Sequence, residues 1–491
     1  MNWLDRMIGW TAPKWGLQRI QARRLIATLS YDGARSGRRT EGWVTVSSSA
    51  DAESQLALEP LRNRARDLVR NNPYAARAID VKVSNTIGAG IVAEVKNKRL
   101  AKLWQAFVSD CDADRKLDLY GIQALIERCR FESGEVLLRF VALPDGPINL
   151  GLRVLEPDYL DTRRDTFQPT NDGSRINQGI EYDRYGRATA YWLFQNHPGD
   201  NFSLNLRSRS IESERVPASD VIHLYRQLRA GQTRGISDFA PVILRARDLD
   251  DYDDAELMRK KVEACLAVGV TVPGGTPSTD AARLTGSAQT DSFGKYETLM
   301  PGGFHYFEPG AEVTFMDPKA SGGYADFERF GLRAIAAGTG VPYELMTGDL
   351  SQVNYSSYRA GLVDFRRRIE QDQWHLHIPR ICERIYLRFQ SEVAGMRGAG
   401  FGDRTEVEWT PPRFELIDPK HETEAEVLAL EAGLETYPES WRRRGWTAQE
   451  QYDALESDQR ERDRRALKLR GDWRTQMGSK NMPEEPDEAA A

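Results

Sequence analysis

The sequence predicts an α+β protein, mainly helical, and three observations predict it. Apolar residues recur at spacings of three and four along much of the chain after residue 60. Short strand-like runs cluster between residues 134 and 194. A stretch rich in Gly, Pro, Ser and Thr, 263–323, separates two strong helices.

Residues 1–60 read as an irregular arm. Arg19, Arg23, Arg24, Arg35, Arg38 and Arg39 gather positive charge there, around the Gly/Ser/Arg-rich Tyr31–Thr40. Two readings stand: the arm orders against a neighbouring subunit, or it contacts phosphates. Leu61–Asn71 is helical, and Asn72-Pro73 breaks the pattern before a second helix, Tyr74–Thr86, which Gly88-Ala89-Gly90 ends. Lys98–Cys111 carries Leu100, Leu103, Trp104 and Phe107 on one face. Gly134–Val141 and Leu150–Leu155 read as strands. Ile180–Tyr182 and Thr189–Phe194 form a hairpin around Asp183–Gly186.

Leu244–Val262 is one long helix, with Pro241 at its start, where a missing N–H costs little. Acids fill its first half and Arg259, Lys260 and Lys261 its end, matching the helix dipole. A second helix spans Tyr324–Ala337, and between the two lie strand-like pieces at Leu266–Val272 and Ala311–Phe315. Gly338–Gln352 is a loop. Asn354–Gln390 is helical, its stripe running through Leu362, Phe365, Ile369, Ile378, Ile381, Ile385 and Phe389. Pro379 is expected to kink or offset it. A strand at Glu406–Trp409 and helices at His421–Leu434 and Thr447–Lys468 follow. The acidic end, KNMPEEPDEAAA, reads as disordered.

With 491 residues the chain has room for several structural units. Its net charge of -6 argues against a static nucleic-acid clamp, because each neutralised phosphate takes a Lys or Arg. Such a balance is compatible with a protein along which DNA must slide. Cys111, Cys129, Cys265 and Cys382 form no C-x-x-C pair, which disfavours a zinc ribbon or redox motif and fits a reducing compartment. The opening MNWLDRMIGWTAPKWG has no apolar core of signal-peptide length, and no apolar run is long enough to span a bilayer. A soluble protein made in the cytoplasm is expected.

Catalytic motifs are missing. Gly294-Lys295-Tyr296 lacks the correctly placed upstream Gly and the following Ser or Thr of a phosphate loop. Gly338-Thr339-Gly340 follows a helix and reads as a helix stop rather than a dinucleotide site. His375 and His377 point to different sides of a helix, and no carboxylate completes a ligand set with His375 and Cys382. The pairs Asp250-Asp251 and Asp253-Asp254 read as a solvated acidic face rather than a magnesium site. No catalytic residue, metal ligand or cofactor is expected, and no enzyme.

Three stretches resemble the lambda-type family of tailed-bacteriophage portal proteins: RGISDFAPVILRARDLDDYDDAELMRKKVEA from Arg234, GLRAIAAGTGVPYELMTGDLSQVNYSSYRAGLVDFRRRIE from Gly331, and EWTPPRFELIDPKHETEA from Glu408. LEPDYLD, Leu155–Asp161, is a weaker fourth. The resemblance spans most of residues 60–470. It implies a portal fold with wing, stem, clip and crown, assembled in the host cytoplasm as a homo-dodecameric ring and carried in the virion at one capsid vertex. Double-stranded DNA would pass through without sequence specificity during packaging and ejection. The implied partners are the large terminase subunit, then the head–tail adaptor, and the major capsid protein; no membrane is involved.

On this plan residues 1–60 are the arm, 61–243 an α/β wing, 244–262 the first stem helix, 263–323 the clip and 324–340 the second stem helix. The channel loop is 341–353, the long wing helix and return strand 354–418, the crown helices 419–470 and the disordered tail 471–491. Asp250, Asp251, Asp254 and Glu256 are candidates for an acidic channel wall that repels phosphates; alternatively they pair with Arg245, Arg247 or a neighbour's bases. In the loop, Asp349, Ser351, Gln352 and Asn354 are candidates for weak DNA contacts, while Asn354 and Ser356 also suit a helix cap. Met346 and Leu350 are expected to pack the loop. Phe304, Tyr306 and Phe307 would anchor a partner on the clip or form the clip's own core. The competing classes are a nucleic-acid enzyme, such as a packaging nuclease or ATPase, and a monomeric binding protein.

Overall fold

The computed structural model describes residues 38, 41–42, 45–166, 173–200, 212–261, 323–396, 406–414 and 418–465, and the backbone of 262–264 and of four short strands between 268 and 307. Most of the expected arm, the expected tail, Cys265 and the expected strand at 311–315 lie outside these residues. The chain divides into two units, 1–53 and 54–491, with a short helix, α1 (Ala50–Ser54), at the boundary.

The second unit begins with α2 (Leu58–Asn71) and α3 (Pro73–Thr86). Asn72 caps α3: its Oδ1 accepts a hydrogen bond from the Ala75 N–H at 2.9 Å, and Pro73 stands where no N–H is needed. The break read from the sequence is thus an N-cap. Strand β1 (Val92–Val95) and α4 (Lys98–Ser109) follow, then α5 (Leu119–Ser133), which was not anticipated. Its buried residues do recur at helical spacing, but Gln123, Glu127 and Arg130 occupy that face among the apolar ones and hide the period.

Strands β2 (Glu135–Val141), β3 (Gly151–Leu155), β4 (Arg175–Asn177), β5 (Ile180–Tyr182), β6 (Ala188–Phe194), β7 (Ser213–Pro217) and β8 (Val221–Tyr225) build two antiparallel sheets. One has the order β3-β2-β8 and the other β4-β5-β6-β7, with β5 and β6 as the expected hairpin. A glycine contact fixes the exit from the first sheet. Gly134, with φ of 90°, lies against the 234–236 backbone, so that a Cβ on Gly235 would stand 2.2 Å from the Gly134 carbonyl oxygen.

Helix α6 (Ile243–Ala264) leads to β9 (Val268–Thr271), β10 (Gln289–Asp291), β11 (Gly294–Tyr296) and β12 (Phe304–Phe307). Strand β9 pairs in parallel with β12, and β10 pairs antiparallel with β11. Gly294–Tyr296 is therefore a hairpin strand. The return is α7 (Tyr324–Thr339), followed by α8 (Tyr343–Thr347) and α9 (Tyr355–Asp372). Residues Gln373–Cys382 form a π-helical segment that continues α9 into α10 (Glu383–Gly395). Pro379 lies inside it; a proline cannot donate and crowds the carbonyl four residues back, and the wider turn relieves both. The expected kink is thus a π-helical stretch.

Strand β13 (Val407–Thr410) returns to pair with β1, and α11 (Pro419–Glu431), α12 (Tyr437–Arg443) and α13 (Ala448–Arg465) close the described chain. Two helices were expected where three are found. Three hydrophobic clusters hold the unit together. The first joins α4, α5 and α10 to the three-stranded sheet through Trp104, Phe107, Leu138, Tyr386 and Phe389. The second joins α3 to the bases of α6 and α7 through Ile79, Leu249, Leu332 and Ile335. The third fills the four-stranded sheet.

Candidate functional site

The helix pair α6–α7 and the loop after it form the candidate site. The helices run antiparallel. Gly338 meets Val242, Gly331 meets Leu249, and the Tyr324 hydroxyl donates to Asp253 at 3.0 Å. Buried Ile243, Ala246 and Leu249 give α6 its inner side. Beyond Leu249 the contact becomes aromatic, with Tyr252 stacked on Tyr324 at 5.8 Å and tilted on Phe327 at 4.7 Å.

The acids of α6 separate by position. Asp248, Asp251 and Asp254 are exposed. Asp251 pairs with Arg247 at 3.1 Å, one turn away. Asp248 and Asp254 make no hydrogen bond or ion pair among the described residues. Asp250 does not belong to that exposed group. It is half-buried against α3, where Asn72 Nδ2 donates to it at 2.7 Å, and burial raises its carboxyl above the ordinary value. Glu256 is also half-buried and is held by Arg259, whose Nε donates at 2.9 Å. Asp250 and Glu256, both candidates for the channel wall, are thus half-buried and each bonded within the chain, to Asn72 and to Arg259. Asp248, not singled out from the sequence, stands outward instead. Of the bases weighed as partners, Arg247 pairs with Asp251, while Arg245 lies over the Phe330 ring at 5.8 Å.

The loop is built around α8. Gly348 ends that helix with φ of 74°. Asp349 then accepts hydrogen bonds from the Tyr343 hydroxyl at 3.1 Å and the Ser351 N–H at 3.0 Å, and these bonds to Ser351 and Tyr343 hold its carboxyl below the ordinary value. Ser351 and Gln352 are exposed. Asn354 caps α9, accepting from the Ser357 N–H at 2.9 Å, with the Ser356 hydroxyl also donating to it at 2.9 Å. The capping role is therefore realised. Met346 is buried as expected, but Leu350 is 60 % exposed and does not pack the loop. Arg329 and Arg333, missed in the sequence, line a cavity of about 110 Å³ together with Asp349 and Gln352.

Phe304, Tyr306 and Phe307 lie in β12, but their side chains are outside the described residues. Exposed apolar side chains occur on the helix pair itself, at Leu244, Met258, Phe327 and Phe330. Cys111, Cys129 and Cys382 are unpaired thiols, and burial pushes Cys111 and Cys129 up to about 12. His377 is buried against Glu127 and His375 is exposed, so the two do point apart. Glu156, Asp158 and His197 come within metal-ligating distance of one another, but Arg66 bridges both carboxylates and Arg62 holds Asp158 at 3.0 Å. LEPDYLD is thus an ionic joint to α2. Among the described residues no helix is long and apolar enough to cross a membrane.

Comparison with known proteins bears on the same regions. The family model of the phage portal protein, lambda family, matches residues 36–373. The probable portal protein of Halomonas phage phiHAP-1 is 26% identical over 469 residues, covering 88% of this chain and 86% of its own. Portal protein B of Escherichia phage lambda is 24% identical, covering 85% of this chain and 86% of its own. A chain from the neck of an empty GTA particle superposes with a TM-score of 0.44 at 15% identity, covering 82% of this chain and 95% of that one.

Proposed function

The chain belongs to the lambda family of phage portal proteins, and we propose that its copies close into a dodecameric ring at one capsid vertex, through which double-stranded DNA is packaged and ejected. In this reading α6 and α7 are the stem, 263–323 the clip, 341–353 the channel loop and α11–α13 the crown. The clip docks the large terminase subunit during filling and the head–tail adaptor afterwards; the major capsid protein surrounds the ring. The protein performs no catalysis of its own, and assembly takes place in the host cytoplasm.

The observation that carries this reading is the surface of the α6–α7 pair. It exposes two kinds of side chain. Leu244, Phe327 and Phe330 are apolar and suit cover by the next copy in a ring. Asp248, Asp251 and Asp254 are charged and suit a water-filled bore. Acids repel the phosphate backbone and keep a duplex centred, where Lys and Arg would add affinity and drag. Ser351 and Gln352, exposed on the loop, offer neutral contacts that carry no sequence information.

Electron-microscope images of the purified protein test the reading. Rings with a central hole are expected, and monomers and dimers alone at high concentration would overturn it.

A further inference from the structure

We propose that the cavity where β8 meets the π-helical segment is a phosphate-binding pocket. It measures about 400 Å³. Arg226, Arg368 and Arg380 line it, together with His375, against a single carboxylate, Asp372. That carboxylate does not neutralise them. Lys82 Nζ donates to it at 2.7 Å from behind, and Arg226 at 2.6 Å from the cavity side. Positive charge therefore exceeds negative charge around the space.

The Arg368 guanidinium lies over Gly340, where an added Cβ would meet its Nη1 at 1.8 Å, and Arg380 is exposed. Arg368 and Arg380 make no hydrogen bond or ion pair among the described residues. Arg380 also stands one turn from Arg384, which is committed to the carbonyls of Ala218 and Val221 at 3.3 Å. Burial, and the neighbouring Arg380, pull Arg384 below its ordinary value, so an anion in the cavity would relieve that repulsion.

The π-helical segment accounts for the cavity's shape. It supplies His375 and Arg380 to the lining, beside Arg368 from the preceding α-helix. Arginines supplied to one cavity by separate elements match a tetrahedral group with several charged oxygens better than a planar carboxylate. Gln371, His375 and Arg380 are exposed, so the cavity opens to solvent and admits a phosphate attached to a longer molecule. Such a phosphate comes either from the backbone of duplex DNA or from a free polyphosphate. None of this depends on the ring reading, because the pocket lies within one chain.

The full-length protein is titrated with inorganic pyrophosphate by calorimetry and with a fluorescein-labelled DNA duplex by anisotropy. Both measurements are repeated on Arg368→Gln/Arg380→Gln. The dissociation constant is expected to rise at least tenfold in the double variant. Arg367→Gln, which removes one exposed charge from the same helix outside the cavity, should leave it unchanged. Arg380→Gln alone alters only an exposed side chain, so it should weaken binding severalfold at an unchanged melting temperature. Duplex displaced by pyrophosphate identifies the DNA backbone as the occupant; pyrophosphate binding without duplex binding identifies a free polyphosphate. The proposal is overturned by any of three results: neither probe binds, the double variant binds as tightly as the parent, or citrate binds as tightly as pyrophosphate, which would mark a carboxylate site instead.

Discussion

Glu127, Glu135 and Asp372 are buried in the mixed α/β part and each meets at least one Arg or Lys, whereas Asp248, Asp251 and Asp254 stand in solvent along α6. The residue types are the same and the consequences differ. Glu135 accepts from Arg234 Nε at 3.0 Å and from the Gly235 N–H at 2.8 Å, with His223 Nε2 3.0 Å away. It therefore ties the sheet to the segment that launches α6. Glu127 takes Arg130 Nε at 2.7 Å and lies 2.8 Å from His377, tying α5 to the π-helical segment. Buried charges of this kind fix how elements meet; the exposed ones set the field outside.

The largest expected effect comes from breaking the buried side of this contrast. Glu135→Ala leaves the Arg234 guanidinium, 1 % exposed, without its counter-ion, and should cost ~3–5 kcal/mol in urea unfolding. Replacing both, Glu135→Leu with Arg234→Met, should recover much of that loss, because no buried charge is then stranded. A loss below ~1 kcal/mol in the single variant would remove the lock. The pH dependence has a definite sign. Burial acts to raise Glu127, Glu135 and Asp372, but their cationic partners outweigh it and hold all three below the ordinary value. Their contribution is then present above the unfolded-state carboxylate range, ~4, and is lost as pH falls through it toward the depressed folded values. Asp250, raised by burial, has the opposite sign.

The same contrast governs what could be read in advance. The long helices were legible because their apolar stripes repeat, and so was the β5–β6 hairpin, whose turn residues are local. Helix α5 was hidden because Glu127 and Arg130 look like surface residues until their partners, His377 and Asp238, arrive from distant parts of the chain. The acids of α6 were recognised as a group, but not sorted. Only the packing of α3 shows that Asp250 faces Asn72 while Asp251 and Asp254 do not. Local capping chemistry around Asn354 was readable; the arginines that line the cavity beside the π-helical segment were not, because they come from separate elements.

A middle-sized effect belongs to the residue that joins the two regions. Asn72 caps α3 with its oxygen and holds Asp250 with its nitrogen. Asn72→Ala should cost about 1–2 kcal/mol, combining a lost cap with a lost hydrogen bond to a charged group. Asp250→Asn can keep a hydrogen bond to Asn72 while removing the charge that burial disfavours, so it should change stability far less. Equal losses in the two variants would show that the charge of Asp250, rather than the cap, carries the joint.

The smallest effect on stability should come with the largest effect on DNA. Asp251→Lys/Asp254→Lys alters two exposed positions, one unpaired and one in a single solvent-facing ion pair. Such pairs contribute little, so unfolding should shift by less than ~1 kcal/mol. The surface, however, changes from repelling phosphates to attracting them. Each new phosphate contact steepens the fall of log affinity with log salt by ~0.9. In assembled particles the outcome should be slower packaging or ejection, with rings intact. If salt dependence and DNA transit both match the parent protein, Asp251 and Asp254 do not face the channel. The exposed acids would then serve solubility or contacts between copies, and repulsion of the backbone would have to come from elsewhere in the bore.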